Sequence, residues 1–314
     1  MSRPTDLLSF THQAAASSSF ASASTTRSPL PPPPTSVVLT DTLSAPGTFA
    51  LAQLIQRALK TPSAVVAGKG KAREGGESEG EMRRANVVVV GVSEREEFWG
   101  ALLKKQGIQL PLESTAGRFA FVDASDPSIP LTALYTSLVA LLAPPSSSAA
   151  AEQGGEPGPL VVIDDLSAVV WRGEEVRAVV RWWKAVRAAV AATNSSLLTL
   201  LHADSLSPSY PPEPSLSLSS SSTPFESPED QYLFRSVLQQ SEVWVEVSAL
   251  VTGGGAGGIR GEITVYRGPA LVEHAASPST GGGGGFSLDP GPPLQYKLED
   301  GGPVYEVKGL GRFL

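Results

Sequence analysis

The chain has 314 residues, 24 Lys and Arg against 31 Asp and Glu, and no cysteine. A net charge of −7 excludes a broad basic field for nucleic acid, and the missing cysteines exclude disulfides, thiolate metal sites and thiol nucleophiles. Gly and Pro, 31 and 27 residues, are concentrated in a few low-complexity stretches, which leaves one folded core with padding rather than two domains.

Residues 1–35 lack a sustained apolar stretch, so a secretory leader is not expected; rich in Ala and Ser and ending in "LPPPP", they are predicted to be a disordered arm. "TSVVLTD" then predicts a first strand, and "APGTFALAQLIQRALK" an amphipathic helix with Leu51, Leu54, Ile55, Ala58 and Leu59 on one face. The charged, Gly-rich segment 61–85 is an insertion. "NVVVVGV" is a run for a strand buried on both faces. Ser93 and Glu96 have capping-box spacing at the start of a helix that Gly107 closes. "RFAFVDA" and "IPLTALYTSLVALLA" give a third strand and its helix, and 144–159 is a linker.

"LVVIDDLS" follows, an apolar run into Asp164 and Asp165. It leads to a helix whose Val176, Val179, Val180, Trp183, Val186 and Val190 share a face. "SSLLTLLHAD" is a fifth strand. A Ser/Pro insertion at 205–228 separates it from the helix "EDQYLFRSVLQQ" and the strands "EVWVEVSALV" and "GEITVYRG". A further insertion at 276–293 precedes "LQYKLED" and "PVYEVKG". Strand–helix alternation followed by strands alone predicts an α/β fold: a central parallel sheet flanked by helices, with antiparallel C-terminal strands, in a single domain over 36–314. No uninterrupted apolar run reaches the roughly 18 residues of a membrane span.

A strand delivering paired aspartates is half of a nucleotide site; the other half is a P-loop, whose backbone N–H groups cradle phosphates while a lysine neutralises them. The slot after the first strand reads "TDTLSAPGTF". With Gly47 as the second glycine, Thr42 replaces the first, Thr48 the lysine and Phe49 the hydroxyl residue. Charge stabilisation supplies most of phosphoryl-transfer catalysis, so hydrolysis by this chain alone, and a bound nucleotide or metal, are not expected. Asp164 and Asp165 are then marks of ancestry. Gly68, Lys69 and Lys71 sit in an insertion with no strand–loop–helix frame. Gly253 to Gly258 matches G-x-G-x-x-G but runs into a strand, so it is no dinucleotide site. His12, His202 and His274 are scattered, and His202 reads as a hydrogen-bonded strand-end residue rather than a base. Arg177, Arg181 and Lys184 form a basic stripe, either a solvated helix face or a contact for RNA or a neighbouring subunit.

In order and spacing these segments resemble Elongator complex protein 6. "LVVIDDLSAVV" looks like that family's strand with its "DDLS" signature, and "SVVLTDTLSAPGTFALAQLIQRALK" is similar to its opening strand and helix, which also lack the P-loop lysine. "LLTLLHADS", "LQQSEVWVEVSALVTG" with "RGEITVYRG", and "LQYKLEDGGPVYEVKGLGRFL" resemble its later strands, so the likeness is collinear from about residue 36 to 314. It implies a RecA-like, P-loop-NTPase-type fold with a degenerate Walker A motif, acting as a non-catalytic subunit. Such a subunit joins Elongator subunits 4 and 5 in a heterohexameric ring that supports tRNA wobble-uridine modification. The implied setting is cytoplasmic, and nuclear as well, with tRNA met through the assembly, no cofactor, no membrane and no DNA. An autonomous RecA-like ATPase, or an adaptor of that fold in another pathway, are the alternatives. The segment after the fifth strand holds no Lys or Arg, so it lacks the charge for a major tRNA contact.

Overall fold

The computed structural model describes residues 10–13, 25–28, 30–60, 86–143, 158–203, 227–250, 260–271, 286–288, 291–299 and 302–307. In chain order its elements are β1 (Phe10–Gln13), β2 (Thr25–Ser28), β3 (Ser36–Asp41), α1 (Thr48–Lys60), β4 (Val87–Gly91), α2 (Glu96–Lys105), α3 (Leu110–Thr115), β5 (Phe119–Asp123), α4 (Leu131–Leu142) and β6 (Leu160–Ile163). They continue with α5 (Ser167–Trp171), α6 (Val176–Ala192), β7 (Ser196–His202), α7 (Pro228–Leu238), β8 (Val243–Ala249), β9 (Gly261–Arg267), β10 (Phe286–Leu288), β11 (Leu294–Glu299) and β12 (Gly302–Val307).

Nine strands form the main sheet in the order β12-β11-β9-β8-β3-β7-β6-β4-β5. From β8 to β5 every neighbour pair is parallel, while β8–β9, β9–β11 and β11–β12 are antiparallel. This is the α/β architecture predicted from the sequence, and hydrophobic patterning is its cause. β4 and β6 are unbroken apolar runs and β7 is apolar but for Ser196, Thr199 and His202; all three are buried almost throughout because helices cover both faces of a parallel sheet. β8 and β9 instead alternate buried and half-buried residues, as a sheet covered on one face requires.

Two cores result. One packs α1, α2 and α3 against Val37, Val89, Val162 and Val245 and continues out to Ile263, Tyr296 and Tyr305. The other packs α4, α5, α6 and α7 against Val38, Val88, Val161 and Leu197. On α6 the predicted apolar face holds from its second turn, with Val179, Val180, Trp183, Val186 and Val190 buried and Val176 half-buried at its start; Trp182 joins them. Trp183 Nε1 donates to Thr199 Oγ1 at 3.0 Å, fixing α6 on β7.

Three sequence expectations take a different form. Arg95, not Ser93, is the N-cap of α2, and no side chain caps it; Ser93 is drawn to a buried carboxylate instead. At the other end of α2 Gly107 adopts φ +80°, and the N–H of Ile108 returns to Leu103 O at 3.0 Å, the αL stop that the glycine predicted. Within residues 1–35, expected to be an arm without regular structure, β1 and β2 pair with each other, and β10 from the expected insertion 276–293 completes a small antiparallel sheet. Short strands of this kind carry little propensity of their own and form only where partners meet. The insertion 61–85 and most of 144–159 and 205–228 lie outside the described residues, as do Gly68, Lys69, Lys71 and Gly253 to Gly258. Among the described residues no helix is long and apolar enough to cross a membrane.

Candidate functional site: a stitched crevice at the carboxyl edge

In open α/β sheets ligands bind outside the carboxyl ends of the strands, where neighbouring strands send their helices to opposite faces. Here that point lies between β3 and β7: α1 leaves β3 on one face and α7 follows β7 on the other. The last residues of the two strands, Asp41 and His202, are register partners across it.

Asp41 ends its strand buried, with 1% exposure. Its Oδ1 contacts His202 Nδ1, and its Oδ2 accepts the N–H of Gly47 at 2.6 Å. On the other side of the imidazole, His202 Nε2 lies 3.2 Å from Asp165 Oδ2. Asp165 also accepts Ser93 Oγ at 3.0 Å and the N–H of Ala168 at 3.1 Å, which holds the start of α5. Both imidazole nitrogens and all four oxygens of the two carboxylates are thereby engaged. The side chains join β3, β7, the end of β6 and the loop after β4 across the crevice.

Burial by itself would push the His202 pKa down, but hydrogen bonds and charges from Asp165 and Asp41 outweigh it and raise it to about 10. His202 is therefore an imidazolium at neutral pH. Burial pushes Asp41 upward, opposed by the His202 cation and the Gly47 N–H. Above the cation lies Trp171, its ring stacked on the imidazole at 5.4 Å and 6°, in cation–π geometry. Trp171 is 53% exposed, and its indole N–H donates to Asp230 of α7 at 3.2 Å.

Of the two Walker-B-like aspartates, Asp164 and Asp165, the first turns away from the crevice. It accepts the N–H groups of Val92, Ser93 and Glu94 at 2.6, 3.2 and 3.0 Å, and the indole N–H of Trp99 at 3.4 Å. Burial raises its pKa to about 6 against the pull of those three backbone donors. It staples the β4–α2 loop to β6 and presents no free oxygen face to a metal. Among the described residues, no group of three or more His, Asp and Glu is placed to hold one.

The degenerate phosphate slot is closed in the same way. Residues 42–45 form a tight turn, with the N–H of Ala45 on Thr42 O at 2.9 Å. Gly47 N–H, which a phosphate would need, faces the Asp41 carboxylate. Thr48 opens α1, and Phe49 packs into the core at 4.6 Å from the Tyr296 ring. Arg177, Arg181 and Lys184 lie on the exposed face of α6, apart from the crevice, with Arg181 3.5 Å from Glu175.

The structure thus brings Asp165, His202 and the Gly47 turn together and leaves the basic stripe elsewhere. It adds Asp41, Ser93, Trp99 and Trp171. Asp41 carried a signal in the sequence, an apolar run ending in Asp as in "LVVIDD"; Trp99 and Trp171 carried none.

Neither a protein-family model nor a curated protein sequence matches this chain. Among solved structures the chain is similar to a KaiC-like protein of the hyperthermophilic archaeon Pyrococcus horikoshii OT3. The identity is 14%, the TM-score 0.48, and 88% of this chain and 90% of that one are covered.

Proposed function

We propose that this chain is a RecA-like subunit that does not turn over nucleotide by itself and acts by assembling with partner subunits. The partners proposed are Elongator subunits 4 and 5, in a heterohexameric ring that supports wobble-uridine modification of tRNA. One observation carries the non-catalytic reading: Asp41, His202 and Asp165 close the switch-point crevice with their own charges. A phosphate entering there would meet two carboxylates, no lysine, and a glycine N–H already committed to Asp41. The choice of partners rests on the collinear resemblance from about residue 36 onward, and the exposed stripe Arg177, Arg181 and Lys184 is the proposed contact for a neighbouring subunit or RNA.

Two measurements test the two halves separately. Titration of the purified chain with a fluorescent ATP analogue and magnesium is expected to show no saturable binding and no turnover; turnover that survives purification would overturn the non-catalytic reading. Co-expression with Elongator subunits 4 and 5 is expected to give a six-membered particle by native mass spectrometry, with the triple Glu variant at Arg177, Arg181 and Lys184 weakening either that particle or its tRNA binding. Failure of the wild-type chain to co-purify would remove those partners.

A further inference from the structure

The nine-stranded sheet ends on two edges, β12 and β5, and their sequences differ in kind. β12 carries Pro303, which has no N–H to offer an incoming strand. β5, "FAFVD", has no proline, lysine or glycine and stays in unbroken register with β4 from Phe119 to Asp123. Open edges are usually blunted by such residues or by a bulge, because a row of free N–H and C=O groups pairs with other extended chains. The ends of β5 fix its phase: Arg118 O accepts Val87 N–H at 3.1 Å, and Ala124 N–H donates to Gly91 O at 2.8 Å. Ala120 and Val122 therefore turn their backbone to β4. Phe119, Phe121 and Asp123 turn theirs outward, where they meet no strand among the described residues.

The helix beside this edge is uncharged. α4, "LTALYTSLVALL", has no charged residue, alone among the described helices longer than five residues. Leu134, Leu138 and Leu142 bury its inner side, while Thr132, Ala133, Thr136, Ser137, Val139 and Ala140 are exposed. The Thr136 hydroxyl is satisfied within the helix, donating to Thr132 O at 2.9 Å. Between α4 and β5 lies a hollow of about 440 Å³, lined by Phe121, Ile129, Leu134, Ser137, Ala140, Leu141 and, as its one charged residue, Asp123. On the other face of the sheet Leu112 of α3 is 61% exposed.

We propose that β5 pairs antiparallel with β5 of a second copy of this chain, around a two-fold axis normal to the sheet at Phe121. That axis sets Phe121 against Phe121 and Phe119 against Asp123, so every outward residue finds an outward partner, with two hydrogen bonds to each opposed pair. A shift of two residues either way would leave an outward residue facing a turn beyond the strand. The axis keeps each face together, so α4 meets its counterpart, uncharged surface on uncharged surface. Charge fits the same register. Arg118, paired with Glu113 at 2.7 Å, is carried to the end of the second strand that bears Asp123 and Asp126, whose charges Arg95 and Arg172 offset. The two Asp123 residues stay about 13 Å apart along the strands, beyond the Debye length of about 8 Å.

Size agrees with a weak dimer. The 12 residues of α4 span about 18 Å, and a helix–sheet–helix edge is about 30 Å thick, so each copy presents about 500 Å² in plan. The pair then buries about 1,000 Å², the lower bound for a specific interface. A phosphate backbone finds no cation on α4 or β5, so nucleic acid is not the occupant. The edge is three strands away from the stitched crevice. The inference goes beyond the proposed ring and does not depend on its partners.

The test is sedimentation equilibrium of the full chain at about 150 mM salt and about 1 to 100 μM protein, with amide exchange followed by NMR in parallel. A rise from 32.6 kDa to twice that mass is expected. On dimerisation the amides of Phe119, Phe121 and Asp123 are expected to slow about tenfold or more, while those of Ala120 and Val122, already bonded to β4, change little. Ser137→Glu with Ala140→Glu is expected to weaken the dimer about tenfold or more, by setting carboxylates into the interface. Ala185→Glu with Ala188→Glu, the same charge change on the exposed face of α6, is expected to leave it unchanged. Thermal melting of both pairs separates lost pairing from lost folding. A monomer throughout, a dimer that survives Ser137→Glu with Ala140→Glu, equal losses from both pairs, or protection missing from the three outward amides would overturn the proposal. Protection that arises only when another protein is added would overturn it too, by giving the edge to that partner.

Discussion

His202 bridges two buried aspartates, and a bridge of this kind is worth most when one support is taken away. In His202→Gln the side chain can still donate a hydrogen bond, but Asp41 and Asp165 stay buried with no cation between them. Breaking a buried pair by removing one partner costs about 3–5 kcal/mol, and a loss of that size in urea unfolding is expected. Asp164 makes the complementary case. Asp164→Ala strands the N–H groups of Val92, Ser93 and Glu94 and the Trp99 indole. Unsatisfied buried donors cost about 1–3 kcal/mol each, softened where the loop can reach water, so a loss of about 2–4 kcal/mol is expected by denaturant unfolding. An ATPase would instead lose turnover while keeping its fold. A wild-type-like unfolding midpoint for Asp164→Ala would show that the staple described here is unimportant.

The elements that position these residues are set by close packing. β4 ends at Gly91, where an added Cβ would lie 2.2 Å from Phe121 Cζ and 2.4 Å from the backbone oxygen of Glu94. The Phe121 ring can swing away, but the Glu94 oxygen belongs to the loop that Asp164 holds. Gly91→Ala is therefore expected to lose about 1–3 kcal/mol, the range for overpacking. In the double variant with Asp164→Ala the two losses should fall short of their sum, because the loop is then released; strict additivity would show that they act on different structures. The capping-box expectation at Ser93 and Glu96 failed at this scale, since the Ser93 hydroxyl donates to the buried Asp165 and the helix opens two residues later, after Arg95.

For the whole molecule the stitched crevice leaves a signature in pH. The folded His202 pKa, about 10, lies above its ordinary 6.5, so its contribution is complete below about pH 6.5 and is lost as pH rises through 10. Asp164, raised from 3.8 to about 6 by burial, also favours the folded state most when protonated, and that advantage disappears as pH rises through 6. Asp123 and Asp126, held below the ordinary carboxylate range by hydrogen bonds from Ser125 and Ser128, act in the opposite sense at the acid end. Urea midpoints measured from pH 6 to 10 are expected to decline, and His202→Gln to flatten that limb. An unchanged slope in the variant would mean that His202 is not the cation between the aspartates.

The sequence by itself determined the sheet and its helices, because unbroken runs such as "VVVV" and the periodic face of α6 admit few other burials. It also showed that the phosphate slot lacks its lysine, since that is a matter of residue type at known spacing. It did not determine α5, whose five residues are too few for a periodic signal, nor the strands β1, β2 and β10. Asp164 and Asp165 looked alike in sequence, yet they diverge: one staples a loop and the other pairs with His202. Only the tertiary structure decided this, because Asp41, Ser93, Asp165 and His202 lie as far as 161 positions apart and meet only where the sheet order brings β3, β7, β6 and β4 to one edge. Patterning is local and legible, whereas a charge network depends on which strand ends become neighbours.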